Sequence, residues 1–239
     1  MSSVHGADNS MSSPIGRAVA GYRHLTRRRV WLVGGLAVFA ILAFLLDLNT
    51  GTSGLGLQRI VGSLFGRGEL SPAEQAILWQ VRLPQSTLAV LVGAALAVAG
   101  AEMQTILNNP LASPFTLGVS SAASCGAALA IVLGIGLPGV SQNWIISANA
   151  FVFAFGSVLL LQGIARMRGS GIETLSLCGI ALFFTFNALV ALTQFLASQQ
   201  ALQQLVFWIM GSLARADWSK VGLLTLIVVT VMPFSFAAS

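Results

Sequence analysis

The residues of this chain that could do chemistry are few and widely spaced. There are seven carboxylates, two histidines and two cysteines among 239 residues. His5 and His24 both precede the first apolar run, so no Ser/His/Asp relay can form among the later segments, and neither haem nor zinc finds a histidine there. The single lysine, Lys220, follows Ser219. A phosphate-binding loop of the form GxxxxGK[ST] therefore cannot occur, and the chain has no ATPase of that kind. Cys125 and Cys178 lie inside apolar runs without a CxxC spacing and read as small packing residues. The residues point to no catalytic site, no metal and no cofactor.

What remains is a set of isolated polar residues in greasy surroundings. Glu102 lies near one end of an apolar run, where three roles stay open: an interfacial carboxylate reaching water, a proton-coupling group, or a pore-lining one. Asp47 is the other candidate for proton coupling. Glu173 opens a later run, where its charge suits a helix N-terminus and could pair with Arg166 or Arg168. Asn187 and Gln194 are seven apart and share a helical face, near Thr185 and Thr193. They read as inter-helix hydrogen bonds or as the lining of a path. Arg82, just before Pro84, reads as an interfacial anchor, since an Arg at the bilayer centre costs ~2.5–3.5 kcal/mol on insertion scales.

These residues need a membrane around them. The composition is 56% hydrophobic and 8% charged, against about 25% charged for a soluble domain. The fold class is all-α, a polytopic helical membrane protein. Alternating polar and apolar positions of a β-barrel are absent. Six runs are long enough to span: about 30–47, 85–106, 115–136, 145–165, 173–197 and 220–238. The five Trp (Trp31, Trp79, Trp144, Trp208 and Trp218) fall at or near run edges, as an interfacial belt does. Arg17, Arg23, Arg27, Arg28 and Arg29 precede the first run and mark a cytoplasmic N-terminus. The basic residues form no patch for nucleic acid. Residues 1–29 read as a disordered basic cytoplasmic tail, 30–239 as the transmembrane domain, and the first helix as uncleaved.

Between the runs, SPAEQAILWQ (71–80) predicts a short helix with Ser71 as N-cap and Pro72 at N1. Pro84 fits the start of the next helix. Residues 199–218 predict an amphipathic helix near the outer surface, with Leu202, Leu205, Val206, Ile209 and Leu213 opposing four glutamines. In the second run Gly93, Ala97 and Gly100 share a face, which puts that helix at the centre of the bundle. The third run repeats the device with Gly118, Ala122 and Gly126. Pro110 and Pro114 forbid one continuous helix through NNPLASPFTLGVS (108–120). A turn or partly re-entrant link follows, closed by Asn108 and Asn109, as a capped turn, the inner mouth of a path, or both.

VRLPQSTLAVLVGAALAVAGAEMQTILNNPLASPFTLGVSSAAS resembles the iron-siderophore/cobalamin permease family of ABC importers. The shared pieces are Arg82-Leu83-Pro84, LVGAALAVAG at 91–100, Gln104, and Asn109 to Ser120. WIMGSLARADW (208–218) resembles a second family motif about 100 residues on. Gln85 stands where the family often has a second Arg, Glu102 where it is usually apolar, and AASC at 122–125 replaces a more Gly-rich stretch.

The resemblance implies about ten helices, of which six are present, so the chain is expected to be an N-terminal part, whether by truncation or as a fragment. It implies import of ferric siderophore by alternating access across the bacterial inner membrane. Cobalamin or haem import, or a proton-coupled secondary transporter, are the alternatives. The implied partners are a cytoplasmic ATP-binding subunit, a periplasmic or lipid-anchored substrate-binding protein, a second permease subunit in a homo- or heterodimer, and membrane lipid. By the same resemblance Arg82 and Gln85 face the binding protein. Ile172, Glu173 and Thr174 belong to the cytoplasmic gate, and the helix of Asn187 and Gln194 borders the path with the Asn108–Pro110 mouth.

Overall fold

The computed structural model describes residues 14–50, 56–64, 70–134, 139–168 and 171–238. Every regular element among them is helical, as expected of a chain that must satisfy its backbone inside lipid. Large apolar side chains face outward, with Phe195 86% and Phe234 78% exposed. In water such a surface would aggregate; in a bilayer it meets its own solvent.

The chain divides into two compact units, one ending at Ser86 and one beginning at Thr87. In the first, α1 runs Pro14–Asn49. Residues 14–29, expected to be disordered, are thus helical, while 1–13 lie outside the described residues. Nucleation is the costly step of helix formation and extension is cheap. Ala, Arg and Leu in 15–29 extend the helix that the apolar run nucleates. The short α2 (Leu57–Leu64) follows. Leu48, Ile60, Leu78 and Leu83 then close a small core, with Phe44 and Leu70 against it.

The helix α3 (Pro72–Ala76) begins as the sequence predicts. Ser71 is its N-cap in a full capping box with Glu74, and Pro72 fills the first turn. It does not stop before Pro84. A π-helical stretch, Ile77–Arg82, carries it into α4 (Leu83–Ile106), and Leu83 N–H donates to Leu78 O, five residues back. A proline inside a regular helix clashes with the carbonyl four residues earlier. The widened turn gives the Pro84 ring room, so Pro84 is an interior residue rather than a helix start. From Pro72 to Ile106 the helix has 35 residues, a rise of about 52 Å against a hydrocarbon layer of ~30 Å. The surplus length fits at its Ser71–Arg82 end, where the Arg59–Glu74 pair and Arg82 favour water over hydrocarbon.

The second unit continues from α4 through α5 (Val119–Val132), α6 (Gln142–Arg168), α7 (Ile172–Leu196), α8 (Gln199–Met210) and α9 (Trp218–Ala238). Among the described residues, four helical stretches are long and apolar enough to cross a membrane: Thr26–Asn49, Pro72–Ile106, Gln142–Arg166 and Glu173–Leu196. The third expected run is trimmed at both ends to the 14 residues of α5. Ser113, Pro114 and Gly118 draw its first residues into a turn.

The centre of this unit is α5, not α4. Ala122, Ala127, Ala128 and Ala130 of α5 are fully buried, whereas Gly93 and Gly100 of α4 have open space beside them among the described residues. Small residues let α6 and α7 close on α5. Helix α8 also joins this core. It is capped by Ser198 and ended by Gly211 at φ 69°, so it stops well short of 218. Leu205 is fully buried in one cluster with Ala127, Ala128, Ala130 and Ile131 of α5 and Ile146 and Ala150 of α6, and Ala201 and Trp208 pack against that cluster. The buried stripe is thus Ala201, Leu205 and Trp208. Val206 and Ile209, expected on the apolar face, are exposed.

Candidate functional site

The link from α4 to α5 is built by its own side chains. Asn108 lies in the left-handed region at φ 43°, which Asn tolerates better than most residues. Asn108 N–H donates to Thr105 O at 3.3 Å and Asn109 N–H to Gln104 O at 3.1 Å. Those two bonds are a Schellman closure with Asn108 at C′, and they satisfy carbonyls that a helix end leaves free. Asn109 Oδ1 then accepts from Leu111 N–H at 2.9 Å, turning the chain past Pro110. Ser113 and Thr116 cap each other: Ser113 N–H donates to Thr116 Oγ1 at 2.9 Å, and Thr116 N–H to Ser113 Oγ at 3.3 Å. A single turn follows and ends at Gly118, φ 75°.

This link seats on α7 through two glycines. A Cβ at Gly118 would lie 2.7 Å from Phe183 N, and one at Gly179 would lie 2.7 Å from Leu117 Cδ2. Leu107, Ala112 and Leu117 pack with Leu161 of α6, and Leu175, Cys178 and Leu182 of α7 lie against them. Beside the seat is a cleft of 480 Å³ between Leu111, Phe115 and the α7 residues Ile180 and Phe184, with Asn109, Thr116 and Ser176 supplying its polar edge. Among the described residues, no ionisable one lines it. Such a cleft can admit or exclude a neutral body; it offers no acid, base or nucleophile.

The structure brings several predicted residues to this seat and leaves others away from it. Asn187 Nδ2 donates to Ser121 Oγ at 3.0 Å and to Phe183 O at 2.8 Å, tying α7 to α5 one helical turn beyond Gly118. Gln194 follows two turns later, half-buried. Gly126 is a second notch: its Cβ would meet Asn149 O at 2.6 Å, and Asn149 Nδ2 donates to Gly126 O at 2.7 Å. Ala122, between the two notches, is fully buried. Ile172, Glu173 and Thr174 form the first turn of α7 after the N-cap Gly171. Thr174 N–H donates to Gly171 O at 3.1 Å. Glu173 is exposed and, among the described residues, makes no ion pair with Arg166; the Arg168 side chain lies outside them. Glu102 is half-buried near the end of α4.

Arg82 and Gln85 belong to the first unit. Arg82 Nη1 donates to Thr50 O at 2.7 Å, just past the end of α1, and Ser86 Oγ donates to Asp47 Oδ2 at 2.5 Å. Both bonds clamp the end of α1, where free carbonyls favour a cation. Arg59 and Glu74 add a two-pronged ion pair, with each carboxylate oxygen 2.9 Å from a guanidinium nitrogen. Ser71 N–H foremost, and then Arg59, hold the Glu74 carboxyl below its usual range. Sequence reasoning missed Ser86 and the Arg59–Glu74 pair. The only signal was an acid at the end of an apolar run and an S-x-x-E box, each of which asks for a donor.

Residues 39–239 match the FecCD transport family. The chain is 38% identical over 191 residues to the vitamin B12 import system permease protein of Escherichia coli O127:H6, covering 80% of this chain and 54% of that protein. It is 33% identical over 191 residues to the molybdate import system permease protein of Haemophilus influenzae, covering 78% of this chain and 55% of that one. A solved structure of a metal-chelate type ABC transporter in an inward-facing conformation superposes with a TM-score of 0.66 at 30% identity, covering 80% of this chain and 56% of that one. The chain thus spans little more than half the length of these relatives.

Proposed function

The chain belongs to the FecCD transport family, and we propose that it is part of the permease subunit of an ABC importer that takes up ferric siderophore. The observation that carries this reading is the family match over residues 39–239. The Asn108–Gly118 link, seated on α7 beside a cleft with no ionisable lining, supports the mechanism. A large chelate must be released as well as admitted, and neutral walls bind it weakly. In this proposal Asn108, Asn109 and Pro110 form the inner mouth. Ile172, Glu173 and Thr174 gate it, and Asn187 and Gln194 border the path. Arg82 and Gln85 meet an external substrate-binding protein. A second permease subunit covers the small-residue face of α4, and an ATP-binding subunit supplies the energy. The basic cluster Arg17–Arg29 supports an N-terminus on the cytoplasmic side of the inner membrane.

The test is uptake by proteoliposomes holding the full-length reading frame that contains this chain, its ATP-binding partner and its binding protein. Labelled ferric siderophore, cobalamin, haem and molybdate are compared. ATP-dependent siderophore uptake that survives a proton uncoupler and Glu102→Gln is the expected result. Uptake of cobalamin, haem or molybdate in its place corrects the substrate alone. Loss of uptake on collapsing the proton gradient, with no need for ATP, overturns the importer reading in favour of a secondary transporter using Glu102 and Asp47.

A further inference from the structure

Where α6 and α9 both begin, a groove of 290 Å³ runs between the two helices. Its chemistry is graded along its length. At the mouth stand Ser141, Asn143, Asp217 and Lys220, with Trp144 in the wall. Deeper in lie Ser147 of α6, whose hydroxyl is taken up by Asn143 O at 2.8 Å, and Leu223, Leu224 and Ile227 of α9, the last three on the same face of α9 as Lys220 by their spacing of three, four and seven. A polar mouth, an indole wall and an apolar floor follow the order of a membrane interface from headgroup to hydrocarbon.

The mouth also carries a fixed pair of opposite charges. Lys220 Nζ is 2.8 Å from Asp217 Oδ2, and the two side chains are 36% and 51% exposed. Lys220 Nζ also donates to Arg215 O at 2.5 Å, and Lys220 N–H donates to Asp217 Oδ1 at 2.9 Å, so both groups are held in place. A purely anionic headgroup would meet Asp217 and a purely cationic one would meet Lys220. A headgroup with both a phosphate and an ammonium complements both at once. An ammonium with N–H groups can hydrogen-bond the carboxylate, whereas a trimethylated one cannot.

We propose that this groove is a binding site for a phosphatidylethanolamine-type lipid, with its phosphate on Lys220, its ammonium on Asp217 and one acyl chain along Leu223, Leu224 and Ile227. The site is independent of the transport reading and stands or falls without it.

The experiment is native mass spectrometry of the full chain, extracted in detergent and titrated separately with phosphatidylethanolamine, phosphatidylcholine and phosphatidylglycerol. Phosphatidylethanolamine is retained most strongly by the wild type. Asp217→Asn weakens that retention about tenfold, the loss of one charge-assisted hydrogen bond, and brings the ethanolamine and glycerol lipids level. Lys220→Gln weakens all three. Leu224→Trp fills the apolar floor and removes the bound lipid while circular dichroism shows the helices intact. Equal retention of the three lipids by the wild type overturns the proposal. So does retention by Lys220→Gln equal to that of the wild type, whatever Leu224→Trp does.

Discussion

Gly118 and Phe183 meet backbone to backbone. A Cβ on Gly118 would stand 2.7 Å from the Phe183 amide nitrogen and 3.1 Å from its Cα. At the same time Gly118 holds φ 75°, where any L side chain is strained. Two independent constraints fall on one residue, and the α4–α5 link depends on both.

Gly118→Ala is therefore expected to lower stability by at least ~1–3 kcal/mol from backbone strain alone, with the clash in addition. Gly93→Ala is the control. Gly93 is helical with open space beside it, so alanine there should be neutral or stabilise by about 0.5–1 kcal/mol. Thermal unfolding in detergent reads both. If a second subunit packs on the α4 face, Gly93→Ala keeps this stability and weakens dimerisation, seen by size-exclusion chromatography.

The Asn187–Ser121 bond at 3.0 Å is a measurable coupling. In a double-mutant cycle with Asn187→Ala and Ser121→Ala, we expect an interaction of about 0.6 kcal/mol, and no more than ~1.7, by analogy with other membrane helices. A coupling of zero, together with altered uptake in the full-length permease, would reassign Asn187 from helix packing to the path.

The Arg59–Glu74 clamp is expected to open in acid. The folded carboxyl lies below the ordinary value of 4.5. Its contribution is therefore complete above that value and is lost as pH falls through the lower, folded one. Spin labels at Gly56 and Ala73 should give a narrow distance distribution at neutral pH that broadens in acid. Arg59→Gln should leave a smaller acid response, with Ser71 still holding the carboxylate. An unchanged distribution across the range would show that the pair does not fix this segment.

Arg82 serves the end of α1 and, in the proposed function, the binding protein. The two roles separate by charge and by salt. Arg82→Lys keeps a cation and should keep salt-sensitive docking, with some loss of the Thr50 contact. Arg82→Glu should abolish docking and loosen α1. Binding of the purified substrate-binding protein at two ionic strengths checks this; equal affinity for wild type and Arg82→Glu removes Arg82 from the docking surface.

Much of the helical layout was legible because it follows from rules that act locally. Ser71-Pro72 announces a capped start, and Asn108-Asn109-Pro110 announces a closed end; both are found as read, with Glu74 completing the first as a capping box. Pro84 misled because a π turn is invisible in composition: it depends on hydrogen bonds that skip one residue, not on residue type. The small faces of α4 and α5 read alike, yet among the described residues it is Gly118, Ala122 and Gly126 that are covered, not Gly93 and Gly100. Sequence marks which helices can approach closely, and tertiary packing decides which do. Val206 and Ile209 misled for a related reason. In lipid, outward apolar residues carry no penalty, so hydrophobic periodicity no longer identifies the buried side of α8.

The short α5 changes the shape of the insulating layer. At 14 residues it rises about 21 Å, against a hydrocarbon thickness of ~30 Å. A lipid-facing helix of that length would have to thin the bilayer around it. Packed against α6, α7 and α8, α5 takes its lateral cover from protein instead, and a short span costs least where its neighbours rather than lipid surround it.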